Sequence, residues 1–290
     1  MNILSRVVRK IKIIPQDIYA YLHRDEIILY DRNRPARKNH VNLHWYSTQT
    51  NGKEENLGDY LATVIYQFMI ERLAVDDTKE LSETKHLYTV GSILFFGFQN
   101  ATVWGSGLLA NPRFLPVKPK LDIRMVRGPK TREILLSKGY LCPEIYGDPA
   151  LLMPLIYEGK REAKMHRAYG VILHKSDTRM VENRIEILRT DYENFIDEIL
   201  RCDRIISSSL HGIILAESYG VPAVMLSDTR TDYNLIKYLD YYLSTGRNDF
   251  PIAESIEEAL LMEPATLPSK ELFVQMQERM MNAFPYDLWK

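Results

Sequence analysis

The stretch that decides the fold is Ile205–Leu226, which reads IISSSLHGIILAESYGVPAVML. Two short apolar runs flank a helix-like segment from about Leu210 to Tyr219, and Gly220 and Pro222 are residues of the kind that end helices. The order of strand, polar turn, short helix, tight turn and strand is typical of a βαβ unit in a parallel sheet. The sequence therefore predicts an α/β fold.

Polar residues occupy the turn of this unit. Ser208 and Ser209 follow the first strand, and Leu210, His211 and Gly212 open the helix. Open parallel sheets bind ligands at this edge, because a helix start offers unpaired N–H groups and a partial positive charge. An imidazole there can exchange protons near neutral pH while it contacts an anion. The structural alternative is that Ser209 caps the helix and His211 packs against the sheet.

Length and composition narrow the class of protein. The 290 residues suffice for one large domain or two of ordinary size, and 46% hydrophobic with 26% charged residues is typical of a soluble globular protein. A net charge of −1 argues against a nucleic-acid-binding surface. Cys142 and Cys202 are far apart, which favours a reducing cytoplasm and argues against a disulfide scaffold or zinc site. No pattern demands a metal. His86–Pro112 lacks charged residues, but its glycines and polar residues favour two buried strands over a membrane span.

The amino-terminal segment has a charge of its own. Met1–His40 carries nine Lys or Arg residues and four acids, which leaves +5, and Met1–Ile14 has the spacing of a basic amphipathic helix. Such a helix can lie on an anionic membrane surface, or it can dock on its own core or on a partner. Basic residues interrupt the first apolar positions, so we expect no secretory signal.

A strand, a glycine-containing turn and a helix come next. Val41–Tyr46 is predicted as a strand, and Asn56, Gly58 and Asp59 precede a run of apolar residues at helical spacing. Gly58 permits a close approach of the backbone, and Asn56 and Asp59 are good helix-start residues. The pattern is a weak candidate for a phosphate or sugar site. Plain N-capping is the alternative.

Two apolar strands, Leu87–Leu94 and Ala101–Trp104, each end in small residues. Ser92 belongs to the first strand end, and Gly105 and Ser106 follow the second. Small residues at a strand end leave room for a ligand or for another part of the backbone. These three residues are therefore candidates for the lining of a cleft.

An arginine stands at the next strand end. Asp122–Val126 is predicted as a strand and Pro129–Ser137 as a helix, with Arg127 between them. A guanidinium at this position can bind a phosphate or carboxylate through two parallel hydrogen bonds. A salt bridge to a nearby acid is the other reading of the same residue.

The pattern then repeats. After a charged stretch, Glu158–Arg167, come predicted strands Tyr169–His174 and Ile185–Arg189, and His174 closes the former. Helices are predicted at Tyr192–Cys202 and Tyr233–Leu243, on either side of the βαβ unit. We expect a basic segment at 1–40, Rossmann-like domains at 41–157 and 169–268 joined by a linker at 158–168, and a helix at 269–290 that packs back on the first domain. Facing strand ends would gather five side chains around one cleft, namely Asn56, Asp59, Arg127, His174 and His211.

Six sequence blocks, taken in order, resemble the polysaccharide pyruvyltransferase family, and most closely its exopolysaccharide ketal-pyruvate transferases. The blocks are NLGDYLATVIYQFM, VWGSGL, VRGPKTREILLSKG, YGDPALLMP, YGVILHKSD and SSSLHGIILAESYGVP, between Asn56 and Pro222. The resemblance implies two domains that face across a cleft, as in GT-B glycosyltransferases. It implies phosphoenolpyruvate as co-substrate with no further cofactor, and a sugar acceptor, such as a polyprenyl-diphosphate-linked oligosaccharide, at the inner face of the plasma membrane.

The resemblance also suggests roles for residues. His211 of the Leu-His-Gly block resembles a proton-transfer residue, and Arg127 of the Arg-Gly-Pro block resembles a donor-binding residue. The helix-start residues around His211 and the strand-end His174 would assist in donor binding. Asn56, Gly58 and Asp59 resemble cleft residues of the first domain, and Asp59 or Glu217 could activate a sugar hydroxyl. Many family members carry Arg where this chain has Ser209, which leaves a second donor-binding arginine in doubt.

Two other functional classes fit the same fold. A nucleotide-sugar glycosyltransferase would use Glu217, six residues after His211, to bind a ribose. A carbohydrate-binding protein would keep the fold and release no phosphate with any acceptor.

Overall fold

The computed structural model describes residues 37–47, 54–94, 101–109, 121–161, 166–228 and 231–290, with the side chains of 231–234 left out. The predicted helix Met1–Ile14 lies outside this part of the chain, as does the middle of the predicted linker. The strands are β1 Val41–His44, β2 Lys85–Tyr88, β3 Ala101–Trp104, β4 Leu121–Met125, β5 Gly170–Ile172, β6 Ile205–Ser207, β7 Ala223–Leu226 and β8 Ile252–Ala253.

The helices alternate with the strands. They are α1 Leu57–Arg72, α2 Pro129–Ser137, α3 Met153–Ile156, α4 Tyr192–Leu200, α5 Leu210–Ser218, α6 Thr231–Ser244, α7 Ile256–Leu261 and α8 Lys270–Asn282. Two 3₁₀ turns, Pro149–Leu152 and Tyr286–Trp289, accompany them. Strands of two to five residues with helices between several of them are the elements expected of βαβ units.

The strands form two four-stranded parallel sheets, in the orders β1-β2-β3-β4 and β5-β6-β7-β8. Every residue of β3, β6 and β7 is buried, as expected for parallel strands covered on both faces. This confirms the predicted α/β class with Rossmann-like parallel sheets. Because strands run parallel within each sheet, their carboxyl ends share one edge, and His211 and Arg127 follow such ends.

One predicted strand is wrong. Ile185–Arg189 forms no strand, because its peptide groups are shared between two neighbours. The N–H of Ile185 donates to Val171 O of β5 at 2.8 Å, whereas the carbonyl of Ile187 accepts from Leu57 N of α1 at 2.9 Å. Only isolated bridges remain, one of them between Leu188 and Asn56. The segment thus connects the second sheet to the start of α1.

Helix α8 contacts the first half of the chain. The indole Nε1 of Trp104 donates to Met280 O at 2.8 Å, and Gln277 Nε2 donates to Leu151 O at 2.8 Å. Gly147 lies against the Met280 side chain, where a Cβ would overlap the sulfur. These contacts bury the start of the 3₁₀ turn at Pro149. Within the described residues, we find no helix that combines the length and apolarity of a membrane span.

Candidate functional site

The imidazole of His211 lies between the two halves of the chain. His211 is the second residue of α5, and only 8% of its surface is exposed. Its ring packs on Gly58 of α1, where an added Cβ would overlap Nδ1 and Cγ. The close approach predicted for Gly58 is therefore to a side chain of the second half. Glycine is required at this helix start because the imidazole occupies the space of a Cβ.

The other edge of the ring faces a buried carboxylate. Nε2 of His211 lies 3.6 Å from Oδ2 of Asp148, and neither atom has a hydrogen-bond partner. The second oxygen, Oδ1, accepts from Ala150 N at 3.0 Å, so the carboxylate begins the 3₁₀ turn at Pro149. Burial by itself raises the pKa of Asp148. The charges of His211 and Arg127 and the N–H of Ala150 outweigh that effect, so its pKa lies below the ordinary value.

Asp59 lies beside this contact and carries its own cation. Its Oδ2 accepts from Asn56 Nδ2 at 2.7 Å and pairs with Lys175 Nζ at 3.2 Å. The ammonium also lies 4.0 Å from the centre of the Tyr46 ring. The side chain of Lys175 is 24% exposed, whereas His211 is almost enclosed. A positive group from the second half therefore lies at the accessible side of the cluster, next to the residue that follows Gly58.

Arg127 is buried behind the cluster, with 1% of its surface exposed. Nη1 donates to Ser92 Oγ at 2.6 Å, and Nη2 donates to Leu108 O at 2.5 Å and pairs with Asp240 of α6 at 3.2 Å. Of the two readings of Arg127, the structure contains the salt bridge to an acid. Protein atoms occupy the space that the sequence suggested for a ligand after β3. The side chain of Pro149 packs against Gly105, and the guanidinium packs against Gly107.

Asp240 joins α6 to the start of α2. Its Oδ1 accepts from Thr131 N at 2.8 Å, and its Oδ2 accepts from Thr131 Oγ1 at 2.5 Å. Gly128 precedes α2 and lies against the backbone of Asp240, with no room for a Cβ. Burial raises the pKa of Asp240 above the ordinary value, although Arg127 and Thr131 act in the opposite direction. Both oxygens of this carboxylate are thus occupied by the protein.

The remaining donor-site candidates have structural partners. Ser208 accepts from His174 N and donates to Asp177 Oδ2, at 3.0 Å and 2.9 Å. Gly212 packs on Ser207 and Ile172, and Leu210 is buried in the core. The ring of His174 is partly exposed and its Nδ1 bonds Ser176 Oγ at 2.8 Å. Ser106 is fully buried and donates to Gly91 O at 2.8 Å.

Glu217 lies outside the cluster, and here the sequence-based assignment needs correction. Its surface is fully buried, Arg247 binds both carboxylate oxygens at 2.6 and 3.0 Å, and Tyr241 donates to Oε2 at 2.6 Å. A carboxylate so enclosed has neither access nor a free oxygen for a sugar hydroxyl or a ribose. The sequence placed Glu217 on the right helix, but its face turns toward α6 and Arg247.

The helix starts around the site differ from those elsewhere. Asn56, Gly128 and Ser209 precede α1, α2 and α5, and none provides a side-chain cap. By contrast, Asp191, Ser255 and Ser269 cap α4, α7 and α8 with their side chains. The N-capping alternative for Asn56 and Ser209 is therefore wrong. The Asn56 side chain is instead bonded to Asp59, and Asp240 supplies acceptors to α2 from another helix.

Comparison with known families bears on this arrangement. A sequence model described as polysaccharide pyruvyl transferase matches residues 99–229. This match supports the polysaccharide pyruvyl transferase family for the matched part of the chain. The chain is also similar to an uncharacterized protein of Acanthamoeba polyphaga mimivirus, at 27% identity over an alignment of 206 residues that covers 65% of this chain and 70% of the relative. The family supports pyruvyl transfer onto polysaccharide.

The pyruvyl transferase match and the cluster overlap in part. Arg127, Asp148 and His211 lie inside the matched residues, whereas Gly58 and Asp59 lie before them. Sequence reasoning singled out His211 and predicted a close approach at Gly58 without its partner, and it overlooked Asp148 and Asp240. The Gly-Asp-Pro turn at 147–149 was visible as punctuation within a family block, which could have identified Asp148. Asp240 sits inside a helical pattern that gives no such signal.

Proposed function

We propose that this protein transfers the pyruvyl group of phosphoenolpyruvate to two hydroxyls of a sugar, giving a cyclic ketal on a bacterial exopolysaccharide or its lipid-linked precursor. The observation that carries the proposal is the contact of His211 with Gly58 and Asp148, beside Asp59 and Lys175. It combines a titratable imidazole, a buried carboxylate and an accessible cation. The family match supports the coarser statement, pyruvyl transfer onto polysaccharide.

The donor would be held by charge and by backbone N–H groups. Phosphoenolpyruvate is a small anion with a phosphate and a carboxylate, and the uncapped start of α5 suits such a group. Lys175 supplies a cation that is reachable from solvent, and the partly exposed His174 precedes it. The guanidinium of Arg127 is already bound by Asp240, Ser92 and Leu108. Arg127 would therefore act on the donor through its charge without direct contact, or directly once the donor has replaced Asp240.

The proposed reaction needs one proton donor and two sugar hydroxyls. His211 gives a proton to the methylene carbon of the enol ester, and the adjacent carbon becomes an oxocarbenium-like electrophile. One hydroxyl oxygen bonds to that carbon, the bond from the carbon to the phosphate oxygen breaks, and the second hydroxyl closes the ring. Of the two hydroxyl protons, one leaves with the phosphate and the other returns to His211. Asp59, whose partner is Asn56, is our candidate to take the first of these protons from the sugar and to pass it to the leaving phosphate, so that Asp59 ends the cycle ionised.

The larger arrangement is part of the proposal. We take residues 41–157 and 169–268 as two Rossmann-like domains, in the manner of GT-B glycosyltransferases, with 158–168 as linker and 269–290 returning to the first domain. The two parallel sheets and the α8 contacts with Trp104 and Leu151 support this division. No cofactor beyond phosphoenolpyruvate is required by the chemistry.

The test is saccharide-dependent phosphate release. The full chain is incubated with phosphoenolpyruvate and a panel of hexose-containing oligosaccharides, and inorganic phosphate is measured. H211A should lower turnover by about 10²–10⁴-fold, the usual contribution of general acid catalysis, while circular dichroism shows the fold intact. H166A is the matched control, because His166 is exposed and pairs with Asp203 at the surface. Near-full activity of H211A would remove His211 from the mechanism.

A nucleotide-sugar glycosyltransferase is the competing function. Its ribose contact was to be Glu217, which is buried against Arg247 and Tyr241. Phosphoenolpyruvate should therefore raise the melting temperature, whereas nucleotide sugars should leave it unchanged. The reverse result would favour the glycosyltransferase. Stabilisation by oligosaccharides alone, with no phosphate released, would indicate a carbohydrate-binding protein.

We also propose that the protein works in the cytoplasm at the inner face of the plasma membrane, where lipid-linked sugars are found. The support is the +5 charge of Met1–His40 and the amphipathic spacing of Met1–Ile14. Deletion of Met1–Ile14 should reduce sedimentation with anionic vesicles but not with neutral ones. Equal sedimentation of both forms of the protein would contradict this proposal.

A further inference from the structure

We propose that Asp148 is a positioning residue for His211, which fixes the orientation of the imidazole and holds a ring proton on Nε2. This inference rests on the proposed function, in which His211 donates a proton. Asp148 and His211 come from different halves of the chain, before the 3₁₀ turn at Pro149 and at the start of α5. The catalytic imidazole would therefore be competent only when these two elements are in contact.

The two ring nitrogens of His211 face different groups. Nε2 faces Oδ2 of Asp148 at 3.6 Å, and Nδ1 lies on the Gly58 side of the ring. Oδ1 of Asp148 is fixed by Ala150 N, so the direction of Oδ2 is fixed as well. An ion pair at this distance is looser than a hydrogen bond, yet both atoms are buried and neither has another partner. A proton for the donor would then leave from Nδ1, while Asp148 stabilises the ring at Nε2.

The charges around the ring give Asp148 a specific task. The amino-terminal dipole of α5 disfavours a positive imidazole two residues into its own helix. On the α1 side, the ring faces Gly58, which has no charge. The carboxylate of the next residue, Asp59, is paired with the ammonium of Lys175. From the Pro149 turn, Asp148 provides an enclosed negative charge, with Arg127 as the nearby cation that helps to keep it ionised. A fixed carboxylate at Nε2 opposes the field of the helix dipole at the ring and faces the proton on that nitrogen.

The decisive variant is D148N. Asparagine keeps the shape and can still accept from Ala150 N, but it removes the negative charge at Nε2. We expect kcat to fall by about tenfold or more while KM for phosphoenolpyruvate changes little, because the loss concerns the proton-transfer step. We also expect the alkaline limb of the pH profile of kcat/KM to move to lower pH. D240N is the matched control: it also neutralises a buried aspartate, but one that contacts Arg127 and Thr131, so the alkaline limb should stay in place.

A merely structural role gives a different result. In that case D148N would lower the melting temperature, and the alkaline limb would remain where the wild type has it, which overturns the inference. If H211A keeps its activity, the proposed function fails instead, and the two failures are distinct.

If the D148N variant does not fold, a measurement on the wild-type chain still tests the inference. Nitrogen shifts of the His211 ring, assigned by comparison with H211A, should show that the neutral ring carries its proton on Nε2, opposite Asp148. A neutral ring protonated on Nδ1 would overturn the inference without any activity data.

Discussion

Two buried aspartates, Asp148 and Asp240, both interact with the charge of Arg127, yet their surroundings differ. Asp240 has each oxygen occupied, by Thr131 and by the guanidinium, and burial raises its pKa. Asp148 leaves one oxygen without a hydrogen-bond partner, directed at His211, and its pKa is lowered. A filled carboxylate joins helices together, whereas a carboxylate with an open oxygen beside an imidazole has capacity left for chemistry. Burial alone would not have separated the two.

The largest effect that tests this comparison concerns Asp240. D240A leaves the guanidinium of Arg127 buried without its counter-ion and should lower the free energy of unfolding by about 3–5 kcal/mol. Urea unfolding followed by tryptophan fluorescence measures the change. The matched control is D203A, which removes an exposed pair with His166 and should cost about 0–1 kcal/mol. A D240A protein as stable as D203A would show that the buried pair does not hold α6 on the rest of the chain.

A smaller effect tests how tightly the imidazole side is packed. G58A should lower the free energy of unfolding by about 1–3 kcal/mol, because the new Cβ overlaps the His211 ring. In the H211A background the same change should cost less, because the two ring atoms are gone and only the Cβ of residue 211, 2.9 Å from the added Cβ, remains in contact. Chemical unfolding of the four proteins of this cycle gives the interaction energy. An equal effect of G58A in both backgrounds would contradict the Gly58–His211 contact.

The smallest effect is a difference in pH dependence. The folded pKa of Asp148 lies below the ordinary value of 3.8, so its stabilising contribution is present above that pH and is lost as the pH falls through the folded value. Asp240 has the opposite sign: its contribution is complete below 3.8 and is lost as the pH rises through the raised folded value.

Unfolding free energies between about pH 3 and about pH 6 measure this difference. The advantage of the wild type over D148N should shrink toward acid, and its advantage over D240N should shrink toward neutral pH. Slopes of the same sign for the two pairs would show that the aspartates are alike, and the comparison would fail.

Much of the fold could be predicted because the Gly and Pro residues between elements and the apolar periodicity within elements indicate the same boundaries. The bounds of β3 and α2 were predicted without error, since Gly or Pro stands next to each of these elements. Ile185–Arg189 was predicted as a strand from its apolar residues and forms none. Its hydrogen bonds go to Val171 on one side and Leu57 on the other, and local sequence cannot show which partners a peptide group will find.

The candidate site, like the fold, could be predicted only in part from the sequence. The positions of His211 and Gly58 at helix starts were predictable, because strand ends and helix starts have sequence signals. The partners of the charged side chains were not. Arg127 meets Asp240, and Glu217 meets Arg247, each through the packing of α6 and the loop after it. A single sequence does not record which acid a buried arginine will pair with, so function and scaffold looked equally plausible for Arg127, and Glu217 was assigned only a function.

The uncapped residues at the start of α5 have a consequence for engineering. Introducing an acidic cap such as S209D would strengthen α5, as a side-chain cap usually contributes about 1 kcal/mol. The same carboxylate would repel an anionic donor from the place where the first-turn N–H groups point. Selection for thermostability at the start of α5 would therefore lower catalytic activity. The helices that Asp191, Ser255 and Ser269 already cap would not show this opposition between stability and activity.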